Sequence, residues 1–102
     1  MDSNRINEKK NTLHELRKEI DDIDLAILNL VQKRVAIAAQ MGLLKKTEGR
    51  AFRDTTREEQ ILANLENLNK ATSSRIANRD LRVLFSKLMS ICLRVQKEGR
   101  DV

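Results

Sequence analysis

The sequence predicts an all-α protein, and two observations favour this fold class: the composition and the spacing of the apolar residues. The 102 residues include no proline, three glycines and 2% aromatic residues. The good helix formers Ala, Leu, Lys, Glu, Arg and Gln dominate, and apolar residues recur at steps of three and four. We therefore expect one helical domain at residues 12–98, between a flexible N-terminal tail at 1–11 and a C-terminal tail at 99–102.

The first predicted helix is long and carries a single apolar seam. The steps between its apolar residues alternate between three and four, which is typical of a coiled-coil-like helix. Thr12 and Glu15 have the spacing of a capping box at its start, and Gly49 predicts its end. A helix of about 35 residues spans roughly 50 Å. The seam comprises Leu13, Leu16, Ile20, Ile23, Ile27, Leu30, Ile37, Met41 and Leu44.

Two shorter helices complete the predicted fold. One runs from about Thr55 to Ala71, with Thr55 and Glu58 spaced as a second capping box, and the other runs from about Asn78 to Glu98. Neither is long enough to cover the first helix from end to end. We therefore expect the long helix to pair with its own copy in an intertwined homodimer. The residues predicted to face inward on the third helix are Leu81, Leu84, Phe85, Leu88, Cys92 and Val95.

The charge pattern and the single cysteine limit the classes of partner and compartment. The formal net charge is +5, but acidic and basic residues are interleaved, so we expect no nucleic-acid partner. Cys92 has no second cysteine to pair with, so nothing indicates an oxidising compartment. Residues 1–11 lack the apolar stretch of a signal peptide or membrane anchor, which predicts a cytoplasmic protein with no membrane partner.

Arg34 interrupts the apolar seam of the first helix. An arginine on a buried seam is costly unless it is paired, so Arg34 requires either an internal salt bridge or a bound anion. Lys45 follows three turns later, about 20° around the helix and roughly 16 Å along it. The two cations therefore leave room for a small acidic molecule. As an alternative, Lys45 is a C-terminal lysine that only complements the helix dipole.

The two shorter helices contribute further candidate residues. Arg57 lies in the first turn of the second helix, where its charge opposes the helix dipole, so we expect a ligand or acidic partner there. The alternative is that Asp54 and Glu58 cap this helix while Arg57 faces solvent. Gln96 lies one turn after Cys92 on the inward face of the third helix. Its amide can donate a hydrogen bond to a ligand or join two helices.

Several kinds of catalytic chemistry lack the residues they need. The only histidine is His14, and the sequence contains no metal-ligand spacing, nucleophilic serine elbow or glycine-rich phosphate loop. We therefore expect neither a metal nor a cofactor. An enzyme of this composition works through fixed cations and hydrogen-bond donors that position a substrate and stabilise charge.

These residues, in this order and at this spacing, resemble the all-helical chorismate mutases. The resemblance covers about residues 13–96 and implies an intertwined dimer of three-helix subunits. It also implies that the substrate is chorismate and the product prephenate, in aromatic amino-acid biosynthesis. The residues that carry it are Leu16–Arg17–Lys18–Glu19–Ile20, Asp24, Arg34, Gly42, Lys45, the Arg53–Asp54–x–x–Arg57–Glu58 motif, Leu84, Phe85 and Gln96.

The resemblance implies that arginines bind the two carboxylates of the substrate. Arg34 and Arg57 contact them from one subunit, and Arg17 does so from the partner subunit. The helix geometry agrees with a shared site, because Arg17 lies about 25 Å from Arg34 along the helix and about 100° away from its face. Within one subunit the two side chains cannot reach the same small ligand.

The resemblance also assigns the hydrogen-bond donors. Lys45 and Gln96 donate to the ether oxygen of the breaking C–O bond, so that Lys45, Gln96 and Arg34 form the catalytic set. Glu58 and the backbone at Asp54 hold the ring hydroxyl group. The substrate-binding set also includes Cys92, which occupies a position where family members carry serine, and a thiol is a weaker donor than a hydroxyl.

Two alternative functions remain at this point. An isochorismate-pyruvate lyase has the same fold and matching arginines, but such enzymes tend to lack the Asp–x–x–Arg–Glu motif. A non-enzymatic dimeric helical module would bind an acidic protein or nucleic acid through exposed cations, whereas Arg34 and Lys45 lie on or beside the seam. Both a free-standing enzyme and a segment of a larger one are compatible with the sequence.

Overall fold

The structure is a computed structural model, and it describes residues 12–99. These residues form three α-helices and no β-strand, which confirms the predicted all-α class. The helices are α1 (Leu13–Glu48), α2 (Thr55–Lys70) and α3 (Asn78–Glu98). The predicted tails, at 1–11 and 99–102, lie outside the described residues except for Gly99. None of the three helices carries an apolar stretch long enough to span a membrane.

The chain divides into two compact units within α1, between Lys33 and Arg34. Residues 12–33 contribute the first part of α1. Residues 34–99 contain the last part of α1 together with α2 and α3.

Both ends of α1 are formed by local side-chain and backbone contacts. The Thr12 hydroxyl accepts the Glu15 backbone N–H at 3.2 Å and donates to the Glu15 carboxylate at 2.7 Å. At the other end, Gly49 has a φ of 68°, and the Arg50 N–H donates to the Lys45 carbonyl at 2.8 Å. A left-handed glycine satisfies the last carbonyls of a helix, so the predicted start and end of α1 are confirmed.

The N-terminus of α2 differs from the prediction. Asp54 is the N-cap, because its backbone is extended and its Oδ1 accepts the Arg57 N–H at 2.9 Å. Thr55 is already the first helical residue, so its hydroxyl does not cap the helix. The predicted Thr55–Glu58 capping box was therefore wrong. The Glu58 side chain is bound by Arg53 instead.

Polar contacts join α2 to α3. Arg82 donates to Glu59 at 2.8 Å and to Glu66 at 3.1 Å, and these hydrogen bonds lower the pKa of both carboxyl groups. Near the connection between the helices, the Asn69 side-chain amide donates to Asn78 Oδ1 at 2.7 Å. The two helices are thus joined by the ion pairs of Arg82 and, near their connecting segment, by the hydrogen bond between Asn69 and Asn78.

The core of residues 34–99 forms where α1 and α3 approach closely. A Cβ atom placed on Gly42 would lie 2.7 Å from both Cα and the carbonyl oxygen of Gln96, so only glycine fits there. Leu84, predicted to face inward, is 58% exposed, while Met89 is buried. Residues four apart do not lie directly above one another on a helix, because each four-residue step turns the side-chain direction by about 40°. Over the two steps from Leu84 to Cys92, this rotation moves Leu84 away from the buried stripe that contains Cys92. The buried residues are Ala38, Ala39, Gly42, Leu62, Met89, Cys92, Val95 and Gln96.

The apolar seam of α1 is not covered by the described part of this chain. Every one of its residues is exposed, including Ile37 at 56% and Leu44 at 61%. On the neighbouring face of the same helix, Ala38 and Ala39 are buried. The helix therefore presents two apolar faces, of which residues 34–99 cover one.

Candidate active site

A cavity of about 260 Å³ lies within residues 34–99, lined by the last turns of α1, the start of α2 and the second half of α3. The structure brings seven of the predicted site residues together around it. The eighth, Arg17, is an exposed residue of α1 within residues 12–33. The seven lining residues are Arg34, Lys45, Asp54, Arg57, Glu58, Cys92 and Gln96.

Lys45 is held in the cavity by two neutral acceptors. Its Nζ donates to the Phe52 carbonyl at 2.7 Å and to Gln96 Oε1 at 3.1 Å. Neither acceptor carries a charge, so the ammonium group remains uncompensated by them. The contact also orients the Gln96 side chain, because engaging Oε1 leaves its amide nitrogen as the free donor.

Arg34 likewise has a neutral partner. Its Nη1 donates to the sulfur of Cys92 at 3.0 Å, and Cys92 is only 3% exposed. Among residues 12–99, no carboxylate lies within salt-bridge distance of Arg34. The internal salt bridge considered for this arginine is therefore not formed within the described chain.

The first turn of α2 places three polar residues at the cavity. Asp54 caps the helix and thereby fixes the backbone at Arg57, whose side chain lines the cavity. Glu58 also lines it, with one carboxylate oxygen bound by Arg53 at 3.2 and 3.4 Å. Arg53 itself does not line this cavity.

The cavity is electrostatically unbalanced. It is lined by Arg34, Lys45 and Arg57, none of which forms a salt bridge within the part of the chain that the structure describes. Its two carboxylates are engaged elsewhere, Asp54 by a backbone N–H and Glu58 by Arg53. Arg34 and Lys45 are partly buried and Arg57 is exposed at the edge of the cavity. Partly buried cations favour a counter-charge, so the cavity suits a small molecule with more than one acidic group. The other walls are Ile37, Ala38, Met41, Phe52, Ile61, Met89 and Leu93.

Sequence reasoning missed part of this site. The Phe52 carbonyl holds Lys45, and the side chains of Ile61 and Met89 form apolar walls. Met89 precedes Cys92 by three residues and Gln96 by seven, so a strict 3.6-residue period would have placed it on the same face. No sequence signal marks a backbone carbonyl as the acceptor for a particular side chain, so the sequence does not predict the role of Phe52.

No group of three or more His, Cys, Asp or Glu side chains within residues 12–99 is arranged to hold a metal ion. The described site consists of three cations, two carboxylates, amide and thiol groups, and apolar walls. Its chemistry is therefore that of charge and hydrogen-bond complementarity.

The fold and the site define an all-helical protein with a small cationic pocket, and comparison with known proteins identifies its family. The model of the family described as "Chorismate mutase type II" matches residues 16–97. The match extends over all of α2 and nearly all of α1 and α3. The chain belongs to this chorismate mutase family, which is a family of isomerases.

Two relatives are similar to the chain over most of its length. A "Bifunctional chorismate mutase/prephenate dehydratase" from Aquifex aeolicus is 32% identical over 87 residues, which are 84% of this chain and 24% of that protein. The chain thus spans about a quarter of that relative's length. The solved structure of a "Conserved hypothetical protein" from Pyrococcus furiosus is 34% identical with a TM-score of 0.67, covering 84% of this chain and 96% of that one.

Proposed function

We propose that this protein is a chorismate mutase that converts chorismate into prephenate. The observation that carries the proposal is the presence, around one small cavity, of three cations that form no salt bridge within residues 12–99. Chorismate has two carboxylates, so it supplies negative charge to a cavity lined by Arg34, Lys45 and Arg57. The chain's family and the name of its Aquifex relative support the same activity.

The arginines act by selecting a reactive shape of a flexible substrate. Arg34 and Arg57 bind carboxylates, and the separation of these cations restrains the substrate in a folded conformation. Restricting a substrate to its reactive conformer removes an entropic part of the barrier before the reaction begins. The apolar walls, including Ile37 and Met41, pack against the carbon skeleton.

Lys45 and Gln96 stabilise the transition state through hydrogen bonds. As the C–O bond breaks, partial negative charge develops on the ether oxygen, and donors directed at that oxygen bind the transition state more tightly than the substrate. The 3.1 Å contact between Lys45 Nζ and Gln96 Oε1 keeps the two donors side by side and leaves the amide nitrogen free. The rearrangement is pericyclic and needs no proton transfer, so it requires no general base.

Glu58 and the backbone at Asp54 bind the ring hydroxyl group in this proposal. Both residues line the cavity, and Glu58 Oε2 accepts no hydrogen bond among residues 12–99. A hydroxyl group that donates to this oxygen would orient the ring relative to Lys45 and Gln96.

We also propose that the functional form is a homodimer in which Arg17 of each subunit completes the site of the other. The uncovered seam of α1 supports this, because apolar residues at coiled-coil spacing are exposed along the whole helix. A second copy offers a seam of the same length and spacing. Pairing of two such helices would bury both seams and supply a third arginine for the substrate.

The direct test is to follow chorismate loss by the purified protein with ultraviolet absorbance, with prephenate identified as the product. Saturable conversion to prephenate supports the proposal. Pyruvate release from isochorismate, run in parallel without turnover of chorismate, would assign the chain to the lyase alternative. If a folded dimer consumes neither compound, the catalytic proposal fails, and salt-dependent binding to bulk DNA would then test the binding-module alternative.

A further inference from the structure

The Glu58–Arg53 pair differs from every other charged contact at the site. Glu58 lines the cavity, but its ionic partner does not. Arg53 lies on the loop before α2, and its side chain is 62% exposed, whereas the Glu58 side chain is 25% exposed. Glu58 thus lies between the cavity and an arginine outside it.

The geometry of the pair leaves one carboxylate oxygen available. Arg53 donates from Nη2 at 3.2 Å and from Nε at 3.4 Å, and both bonds end on Glu58 Oε1. Both donors therefore hold the same oxygen, Oε1, beside Arg53. The second oxygen, Oε2, keeps its capacity to accept a hydrogen bond from a ligand.

The positive charges around Glu58 are the reason why the position of its carboxylate matters for ligand binding. Its carboxylate shares a cavity of about 260 Å³ with three cations that have no carboxylate partner within residues 12–99. A free carboxylate in that space is attracted to Lys45 and Arg57. Such a pair would neutralise a cation that the substrate requires, and it would remove Oε2 from the ring hydroxyl group.

We infer that Arg53 is a positioning residue that holds Glu58 away from the cations of the cavity and thereby keeps them available for the substrate. The inference rests on the proposed function and deepens it. Arg53 does not contact the substrate. Arg53 affects catalysis by positioning Glu58, and we expect its loss to change mainly the affinity for the substrate, measured as KM.

The test measures kcat and KM for chorismate in Arg53→Ala, Arg53→Lys, Glu58→Gln and the Arg53→Ala/Glu58→Gln double variant. Arg53→Ala is expected to reduce kcat/KM roughly tenfold, mostly through KM, because Glu58 then competes with the substrate for cations. Arg53→Lys is expected to recover part of the loss, since an ammonium group still attracts the carboxylate. In the Glu58→Gln background, Arg53→Ala is expected to change kcat/KM by less than about twofold, because a neutral amide does not compete.

Arg50→Ala is the matched control. Arg50 is on the same loop and forms a more exposed salt bridge with Glu48 at 3.5 Å, and neither residue lines the cavity. Arg50→Ala removes one positive charge, as Arg53→Ala does, and kcat/KM is expected to change by less than about twofold. Thermal unfolding of all variants shows whether they remain folded.

An equal loss from Arg53→Ala in both backgrounds would overturn the inference, because the effect would then not pass through Glu58. No loss from Arg53→Ala, or an equal loss from Arg50→Ala, would also overturn it. The wild-type protein separates these outcomes from failure of the proposed function, since an inactive wild type refutes the mutase activity itself. In that case, calorimetric binding of a bicyclic dicarboxylate transition-state mimic to the same variants tests the role of Arg53 alone.

Discussion

At the scale of single residues, the most informative feature is the kind of acceptor that each cavity cation has. A surface lysine usually contacts water or a carboxylate, but Lys45 is held by a backbone carbonyl and a side-chain amide. Arg34 is held by a thiol. These neutral contacts direct the cations without neutralising them, which leaves their charge for a ligand.

Replacing Lys45 by alanine is expected to reduce kcat at least about 100-fold while the fold is retained, because a donor to the developing charge on the ether oxygen is lost. Steady-state turnover of chorismate measures kcat, and circular dichroism measures whether the fold is retained. Lys46→Ala is the control, since Lys46 is the next residue of α1 and does not line the cavity. Near-normal turnover by Lys45→Ala would remove this residue from the catalytic set.

At the scale of helices, α1 packs closely against α3 at Gly42, and the ion pairs of Arg82 join α2 to α3. Gly42 brings the backbone of α1 against Gln96 on α3, one turn before Lys45. This close approach is what allows Lys45 and Gln96 to make their hydrogen bond. Arg82 performs a different task, because it holds α2 against α3 through Glu59 and Glu66.

Gly42→Ala tests the close approach. Alanine favours a helix interior over glycine by about 1 kcal/mol, but its Cβ would lie 2.7 Å from two backbone atoms of Gln96, which cannot move away cheaply. Overpacking typically costs about 1–3 kcal/mol, so we expect a net loss of stability and of activity. Chemical denaturation measures the loss of stability. Gln40→Ala, at an exposed position of α1, is the control, and a more stable Gly42→Ala variant would refute the close contact.

The Arg82 cluster predicts a pH dependence of stability. Hydrogen bonds from Arg82 lower the pKa of Glu59 and Glu66 in the folded chain below the ordinary value of 4.5. A lowered carboxyl pKa stabilises the fold above that ordinary value, and the contribution disappears as the pH falls through the lower folded pKa. Arg82→Gln is therefore expected to lower Tm at neutral pH and to differ less from wild type in acid. An equal Tm difference at all pH values would contradict this.

At the scale of the whole molecule, the exposed seam of α1 is the feature that a single chain does not explain. Apolar side chains at coiled-coil spacing lie in solvent from Leu13 to Leu44. A domain of this size also buries a smaller share of its surface on folding than a larger domain does, so a partner helix adds stability that one chain lacks. The proposed dimer therefore links stability to the completion of the active site.

Mixing two inactive variants tests the shared site. In a heterodimer of Arg17→Ala and Arg34→Ala chains, one site contains both substitutions and the other contains neither. Random exchange of subunits is expected to restore about a quarter of the wild-type activity. An equal mixture of Arg34→Ala and Lys45→Ala is the control, because both residues line the cavity of one chain and neither site is then intact. No recovery in demonstrated Arg17→Ala/Arg34→Ala heterodimers would contradict a shared site.

Much of the fold follows from residues that are close together in the chain. Thr12, Glu15 and Gly49 mark the ends of α1 through contacts that span only a few residues. The helical period then assigns Arg34 and Lys45 to one face, and both line the cavity. Capping and periodicity act over a few residues, so the sequence alone was sufficient to predict these features.

Other features depend on contacts that no local pattern encodes. The choice of Asp54 over Thr55 as N-cap follows from where the loop before α2 enters the helix. The fit of Gly42 against Gln96 requires segments distant in the chain to meet, and the carbonyl of Phe52 reaches Lys45 only because the loop between α1 and α2 folds back onto the helix. Their positions are set by packing between helices, so the tertiary structure was needed to find them.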